Sequence, residues 1–179
     1  MSVDAEAIEQ AAGLPRAEPD LEHIFRGNYA RVVRVIARVV KDRARAEELA
    51  VEVFLRLWKR RLAADANVDG WLNRTAARMG IDELRRRSRR ERYERLSRAL
   101  RVANPEEIRA AGEEKERVRR VLARMNRAQA ELLVLRGEGL SYAELAAALE
   151  LNPASVGKLL SRAQAAFRKE YTRRYGNGR

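Results

Sequence analysis

Apolar residues recur at intervals of three and four through most of the chain, which is the repeat of an α-helix. The first such segment runs from near Asp20 to Lys41, and its apolar positions are Ile24, Phe25, Tyr29, Val32, Val33, Ile36 and Val40. The β-branched stretch Val32–Val40 would also suit a strand. The basic positions Arg31, Arg34, Arg38 and Lys41 keep the helical spacing, so the pattern favours a helix.

A second helix is predicted over Ala46–Arg61, and its two faces differ in chemistry. The inward face carries Ala46, Leu49, Ala50, Val53 and Leu57. The opposite face, at about 100° per residue, carries Glu48, Val51, Glu52, Leu55 and Lys59. Apolar side chains beside carboxylates on an outward face indicate a protein-binding surface, with an ordinary solvated face as the alternative. Residues 62–70 form a predicted loop that ends at Gly70.

The segment Trp71–Arg90 joins an apolar helical stripe to the densest positive charge in the chain. Its predicted buried side consists of Trp71, Leu72, Thr75, Ala76 and Met79, and its predicted outer side begins with Asn73, Arg74, Ala77 and Arg78. The arginines that follow are Arg85, Arg86, Arg87, Arg89, Arg90 and Arg92. This surface suits a polyanion, and a solvated helix end is the alternative interpretation.

The second half of the chain is predicted to hold shorter helices with clear start signals. Asn104-Pro105 and Gly112 interrupt the pattern and indicate a linker. Asn126 is a predicted N-cap for a helix over Arg127–Arg136, and Ser141 with Glu144 forms a predicted capping box for a helix ending at Leu149. Asn152-Pro153 opens the last helix.

The lengths of the last two helices are typical of a helix-turn-helix unit, although other three-helix packings share the spacing. The early residues of the second helix in such a unit reach base edges in the major groove. The candidates are Asn152, Ser155, Gly157, Lys158, Ser161 and Arg162.

Composition narrows the classes of function. The 179-residue chain carries a formal net charge of +12 and has a pI near 10.9, which favours an acidic partner such as nucleic acid. Cysteine is absent, which excludes disulfides and thiolate metal sites. The single histidine, His23, joins no catalytic constellation, so we predict no enzyme, no metal site and no cofactor. Without a membrane-spanning run or signal peptide, a cytoplasmic location is expected, without membrane insertion.

Three segments together resemble bacterial RNA polymerase sigma factors of the extracytoplasmic-function (ECF) group. They are AEELAVEVFLRLWKR at Ala46–Arg60, WLNRTAARMGIDELRRRSRR at Trp71–Arg90, and GLSYAELAAALELNPASVGKLLSRAQAAFRKEY at Gly139–Tyr171. The first is similar to the polymerase-docking helix of sigma region 2. The second is similar to the segment that opens the −10 promoter element, and the third to the helix-turn-helix of region 4, which reads the −35 element.

The resemblance implies an all-α fold of two small helical domains joined by a linker. The expected divisions are an acidic tail at 1–20, a region 2-like domain at 21–95, a linker at 96–112, a region 4-like domain at 113–172 and a basic tail at 173–179.

The resemblance also implies roles for three groups of residues. The expected polymerase-binding residues are Glu47, Glu48, Val51, Glu52, Leu55 and Arg56. The expected −10 DNA-binding residues are Trp71, Asn73, Arg74, Arg78, Arg85, Arg86 and Arg89. The expected −35 DNA-binding residues are Asn152, Ser155, Lys158, Ser161 and Arg162.

Several positions depart from the residues usual in the family, namely Val51, Ala77, Arg78, Glu150, Gly157, Leu159 and Gln164. The leading hypothesis is an alternative sigma factor that binds core RNA polymerase and promoter DNA, with an anti-sigma factor as a further partner class. One alternative is a degenerate sigma-like protein that docks on polymerase or a regulator without initiating transcription. Another is a helix-turn-helix repressor.

Overall fold

The computed structural model describes residues 21–60, 67–98 and 110–176. Within these ranges the chain forms seven α-helices and a short 3₁₀ turn. The elements are α1 (Leu21–Val39), α2 (Arg43–Lys59), α3 (Val68–Arg98), α4 (Ala110–Leu122), α5 (Arg127–Gly137), α6 (Tyr142–Leu149), the 3₁₀ turn Pro153–Ser155 and α7 (Val156–Tyr175). The described residues contain no strand, so the all-α prediction is confirmed and the strand alternative for Val32–Val40 is wrong.

The junction between the first two helices lies earlier than the sequence pattern predicts. Helix α1 ends at Val39, and Asp42 is the N-cap of α2, where its Oδ1 accepts a hydrogen bond of 3.2 Å from the backbone N–H of Arg45. Helix α2 therefore begins at Arg43 rather than at Ala46. A capping carboxylate satisfies an N–H that the first turn cannot pair internally, which fixes the boundary.

Helix α3 is longer than predicted at both ends. It begins at Val68 rather than after Gly70, because Asn67 Oδ1 accepts a 2.8 Å hydrogen bond from the backbone N–H of Gly70. It continues to Arg98, and α4 begins at Ala110, so the expected linker 96–112 is helical at each edge. The expected tail 1–20, the loop residues 62–66, the centre of the linker at 99–109 and residues 177–179 lie outside the described residues.

The start signals of the second half are confirmed. Asn126 Oδ1 accepts from Ala128 N at 3.0 Å, and Ser141 and Glu144 form a complete capping box at the start of α6. Helix α7 reaches Tyr175, so the beginning of the expected basic tail is helical. The turn between α5 and α6 has a positive φ of 92° at Gly139, and Gly137 is the last residue of α5.

One continuous hydrophobic core connects the N-terminal half, α1–α3, with the C-terminal half, α4–α7. The predicted inward face of α2 is buried, as is Phe54. Helix α3 is central, because it contacts α1, α2, α4, α5 and α6. The two halves therefore pack on each other along α3.

The buried side of α3 covers a wider arc of the helix than the predicted apolar stripe, and it is centred on different residues. Asn73 and Ala77, expected on the outer side, are 5% and 0% exposed. Trp71 and Thr75, expected inside, are only half-buried. A helix surrounded by several partners buries more than one face, and the apolar stripe alone does not define that arc. No helix in the described ranges has the length and apolar character to cross a membrane.

Candidate functional site

The outward face of α2 carries all six residues predicted to bind polymerase. Its charged side chains pair along the helix: Glu47 with Arg43 at 3.0 Å, Glu48 with Arg45 at 2.8 Å, and Glu52 with Arg56 at 2.7 Å. Hydrogen bonding to Glu48, and next to Glu83, raises the pKa of Arg45 above its ordinary value. Exposed i,i+3 and i,i+4 ion pairs are weak, so these carboxylates can leave their arginine partners and pair with basic groups of a docking protein.

Apolar side chains lie beside these carboxylates, and no element of the described residues covers them. We call Leu21, Phe25, Val51, Leu55 and Trp58 the α1/α2 apolar patch, and together they line a shallow depression of about 200 Å³. Trp58 is 71% exposed. Phe25 anchors the patch to the core through an edge-on contact with Phe54, with ring centroids 4.8 Å apart. Clustered exposed apolar groups indicate an interaction surface.

Five arginines of α3 form a second candidate surface. Arg74, Arg78, Arg85, Arg89 and Arg92 are spaced four, seven, four and three residues apart, which places them along one side of the helix. We call this set the arginine stripe. Four of its members belong to the predicted −10 group.

The C-terminal half lies against the first part of the arginine stripe. Arg74 Nη1 is 2.5 Å from Glu150 Oε1, and Arg78 Nε is 3.4 Å from Glu131 Oε1. Arg85 Nη2 donates a 2.6 Å hydrogen bond to the backbone carbonyl of Met125. Three guanidinium groups of the predicted −10 group are therefore engaged within the chain.

Further ion pairs join the two halves around the arginine stripe. Arg127 pairs with Asp82 of α3 and lies 3.2 Å from Glu131 within its own helix. Glu138, whose side chain is 4% exposed, pairs with Arg34 at 3.3 Å and with Arg38, both on α1. Nearly buried carboxylates require such partners, because an unpaired buried charge is strongly unfavourable.

The remaining predicted −10 residues do not share a single surface. Trp71 is half-buried, and the guanidinium carbon of Arg60 lies 5.9 Å from its ring centroid. Asn73 is buried, so in this arrangement it cannot meet an unpaired base. Arg86 is exposed and pairs with Glu83 at 3.3 Å, while Arg89 has no ion pair within the described ranges.

The predicted −35 residues occupy the helix-turn-helix formed by α6 and α7. Helix α6 is fixed by its capping box, in which the backbone N–H of Ser141 donates to Glu144 and lowers the pKa of that carboxyl. Glu150 follows with φ of 54°, a left-handed conformation that favours glycine. Asn152 Oδ1 accepts from Ala154 N at 3.0 Å, so Asn152 acts as a cap in addition to being exposed.

Helix α7 presents one side to the core and the other to solvent. Val156, Leu160 and Ala163 are buried, whereas Lys158, Ser161 and Arg162 are exposed and Ser155 is half-buried. The structure therefore brings the predicted −35 side chains together on an accessible surface.

The pattern of residues along the chain did not indicate the carboxylates that engage the arginine stripe. Glu131 interrupts the apolar run of α5, where it is buried beside Ala130 and Leu132. A single carboxylate in an apolar run is the signal that could have identified it, because such a group needs a partner. The described residues contain no cluster of three or more His, Cys, Asp or Glu side chains suited to a metal ion.

Two family models of known proteins match the sequence. The family model of Sigma-70 region 2 matches residues 24–90, and that of Sigma-70 region 4 matches residues 115–166. No curated protein matches the sequence significantly.

Two solved structures resemble the fold. CnrH, solved in complex with the cytosolic domain of CnrY, is 20% identical with a TM-score of 0.53, and the match covers 91% of this chain and 92% of CnrH. The sigma factor RpoE from Bartonella quintana, solved with the anti-sigma factor NepR, is 16% identical with a TM-score of 0.48, over 84% of this chain and 96% of RpoE. The two region models match in the order expected of a two-domain ECF-type sigma factor, and together they cover well over half of the sequence: the chain belongs to the sigma-70 family.

Proposed function

We propose that this chain is an alternative sigma factor that binds core RNA polymerase and directs it to a set of promoters. In this proposal the N-terminal half opens and captures the −10 element, and the C-terminal half reads the −35 element. The observation that carries the proposal is the succession of region 2 and region 4 matches on two helical halves, each with a surface suited to its task. The protein would act in the cytoplasm, and the proposal assigns it no covalent step.

The outward face of α2 is the proposed polymerase contact. Val51 and Leu55 are 44% and 45% exposed, and they lie among the carboxylates Glu47, Glu48 and Glu52. An apolar centre flanked by acidic groups fits a basic, helical partner surface.

Helix α7 is the proposed reader of duplex DNA. Lys158 and Arg162 are exposed on its first turns, opposite the buried residues Val156 and Leu160. This geometry suits insertion of one helical side into the major groove, with Ser155 and Ser161 available for further hydrogen bonds. The arginine stripe of α3 supplies the proposed contacts to the −10 region, where phosphate neutralisation adds affinity that falls steeply with salt.

The test is a pull-down of bacterial core polymerase by the purified chain, followed by transcription from a randomised promoter library. We expect binding and sequence-selective initiation. Leu55→Arg should abolish core binding without unfolding the chain, because the side chain is already half exposed. Ala44→Arg is the matched control, since it adds the same charge at an exposed position of the same helix, outside the apolar patch.

A second candidate function is polymerase docking without initiation. It is favoured by Ala77, which is fully buried at a position where the family usually has a basic residue, and by Arg78, which is paired with Glu131. Core binding without initiation at any library promoter would select this function. Tight duplex binding without any core binding would instead select a repressor.

We also propose an anti-sigma factor as a partner, with the α1/α2 apolar patch as its contact. The patch is accessible and shares Val51 and Leu55 with the proposed polymerase contact, so one partner would exclude the other. Co-purification of a partner that Leu55→Arg releases, and that core polymerase displaces, would support this assignment. A partner that binds together with core polymerase would contradict it.

A further inference from the structure

We propose that a cleft between α3 and the C-terminal half binds a compact anion with adjacent phosphate groups, such as a short polyphosphate or a nucleoside polyphosphate. The cleft has a volume of about 620 Å³, which lies within the usual range of small-ligand sites. We call it the basic cleft, and its lining residues are Arg85, Ser88, Arg89 and Arg92 of α3 with Ala123, Arg124, Glu170 and Arg173 of the C-terminal half. The inference goes beyond the proposed function, because it requires neither polymerase nor a promoter.

The basic cleft has a large excess of positive charge. Five arginines line it, and Glu170 is the one carboxylate among its lining residues. That carboxylate already pairs with two arginines of its own helix, at 2.7 and 2.9 Å. Arg89, Arg92 and Arg124 are exposed and have no ion pair among the residues that the structure describes. Their mutual repulsion is relieved when an anion enters, so the cleft favours a ligand with several negative charges.

Two of the arginines are held in place by contacts that leave donors for a ligand. Arg85 Nη2 donates a 2.6 Å hydrogen bond to the carbonyl of Met125, while Arg85 Nε is buried and has no hydrogen-bond partner within the described ranges. Arg173 donates to Glu170 from Nε at 3.0 Å and from Nη2 at 2.7 Å. A guanidinium has five N–H donors, so both side chains keep some for a ligand. Side chains that are already ordered lose little conformational entropy on binding.

The chemistry of the lining favours a compact polyphosphate over a strand of nucleic acid. A guanidinium presents a planar fork of donors that matches the oxygens of a phosphate group. Sites for single-stranded nucleic acid combine such cations with aromatic side chains on which the bases stack. The lining residues include no aromatic ring, and Ala123 is the only apolar one among them. Adjacent phosphates concentrate their charge in a small volume, so one ligand can engage arginines of both halves.

The test is isothermal titration calorimetry of the full chain with inorganic tripolyphosphate, in chloride buffer without magnesium. We expect saturable binding of one anion per chain, and an absence of binding would overturn the proposal. Arg92→Gln should weaken the affinity roughly tenfold, because it removes one set of charge-assisted hydrogen bonds. Arg90→Gln is the matched control, since it removes the same charge at an exposed position of α3 that does not line the cleft. It should change the affinity by less than about twofold, because exposed charges are screened by salt.

A second pair of variants tests the C-terminal half. Arg124→Gln should also weaken tripolyphosphate binding roughly tenfold, whereas Arg168→Gln, at an exposed position of α7 outside the cleft, is its control. All four positions are exposed, so the circular dichroism spectra should match that of the wild type. Equal losses in all four variants would mean that net charge alone acts, and would overturn the proposal. A loss confined to one half would overturn the claim that both halves contribute.

Three further ligands distinguish the sources of the phosphate groups. Tighter binding of ATP than of tripolyphosphate would assign the cleft to a nucleoside polyphosphate, and weaker binding would assign it to a polyphosphate chain. AMP should bind roughly tenfold more weakly than ATP, because it lacks adjacent phosphates, and equal affinities would overturn the proposal. A four-nucleotide single-stranded oligonucleotide carries its phosphates apart and should bind more weakly than tripolyphosphate. Binding as tight or tighter would make the cleft a nucleic-acid groove and would overturn the small-anion assignment. These readouts need no polymerase, so they are separate from the core-binding and transcription assays that decide the proposed function.

Discussion

The two surfaces predicted to contact DNA differ in accessibility although both are basic and both lie on long helices. On α7 the side chains of Lys158, Ser161 and Arg162 face solvent. On α3 the side chains of Arg74 and Arg78 meet carboxylates of the other half. The difference teaches that the composition of a helix face does not decide whether it is free. The elements packed beside that face decide it.

The comparison also separates two requirements of the proposed function. We call the arrangement in which the two halves pack on each other along α3 the closed form. Duplex reading through α7 is compatible with the closed form, because Lys158, Ser161 and Arg162 are exposed in it. Capture of unpaired −10 bases through α3 is not, because the arginine stripe is partly occupied and Asn73 is buried. Contact with the polymerase would then be the event that makes the second surface usable.

The largest effect is expected from Arg127→Glu. The substitution should separate the two halves and so make the arginine stripe of α3 as accessible as the surface of α7. The new carboxylate would lie beside Asp82 and Glu131, where the arginine now pairs with both. Loss of this shared cation should destabilise the closed form by roughly 2–3 kcal/mol, a little below the range for fully buried pairs because Arg127 is partly exposed. Small-angle scattering should show a larger radius of gyration.

Lys115→Glu is the control for that experiment, since it changes the charge equally at an exposed site of α4. It should leave the scattering profile unchanged. If both variants expand the chain, net charge and not the interface sets its dimensions.

The next effect concerns the accessible surface. Lys158→Ala should weaken binding to −35 duplex roughly tenfold, the typical effect of losing one base-edge contact. Core polymerase binding should be retained, because Lys158 is remote in sequence from α2 and exposed on α7. The loss should be the same in the Arg127→Glu background, as measured by fluorescence anisotropy with the selected promoter duplex. Equal loss of polymerase and duplex binding would contradict the assignment.

The sequence predicted the local structure well because the determinants are local. The inward face of α2 follows from its repeat, and the capping box of Ser141 and Glu144 is confirmed because both partners lie within one turn. The helix ends at Asp42 and Asn67 were missed because a single side chain shifted each boundary by about a turn. The helix class and the exposed positions of the −35 group could therefore be inferred from the chain alone.

The occupation of the arginine stripe could not be predicted, because it depends on residues far apart in the chain. Arg78 and Glu131 are 53 residues apart, and no periodicity connects them. Asn73 and Ala77 were placed on the wrong side for a related reason: α3 contacts five other helices, so its buried arc exceeds its apolar stripe. Tertiary partners decided what the pattern left open.

A smaller effect should appear as energetic coupling between Arg78 and Arg127, which both pair with Glu131. Arg78→Ala removes a proposed phosphate contact, which weakens oligonucleotide binding. It also removes a partner of Glu131, which favours separation of the two halves and offsets part of the lost affinity. The loss in oligonucleotide affinity should therefore be smaller in the wild-type background than in the Arg127→Glu background, with a coupling of roughly 0.5–1 kcal/mol. A double-mutant cycle measured by anisotropy gives this value. Strict additivity would mean that the two side chains do not share a closed state.

The smallest expected effect is at Glu150, where conformation and ion pairing oppose each other. Its φ of 54° is unfavourable for a residue with a side chain, by about 1–2 kcal/mol, whereas glycine adopts it freely. Its pair with Arg74 contributes at most about 1 kcal/mol, because the carboxylate is largely exposed. Glu150→Gly should therefore raise the thermal midpoint by a few degrees while freeing Arg74. Glu150→Ala loses the pair but keeps the strained φ, so its midpoint should fall slightly below the wild-type value; equal midpoints for the alanine and glycine variants would show that the left-handed turn costs nothing here.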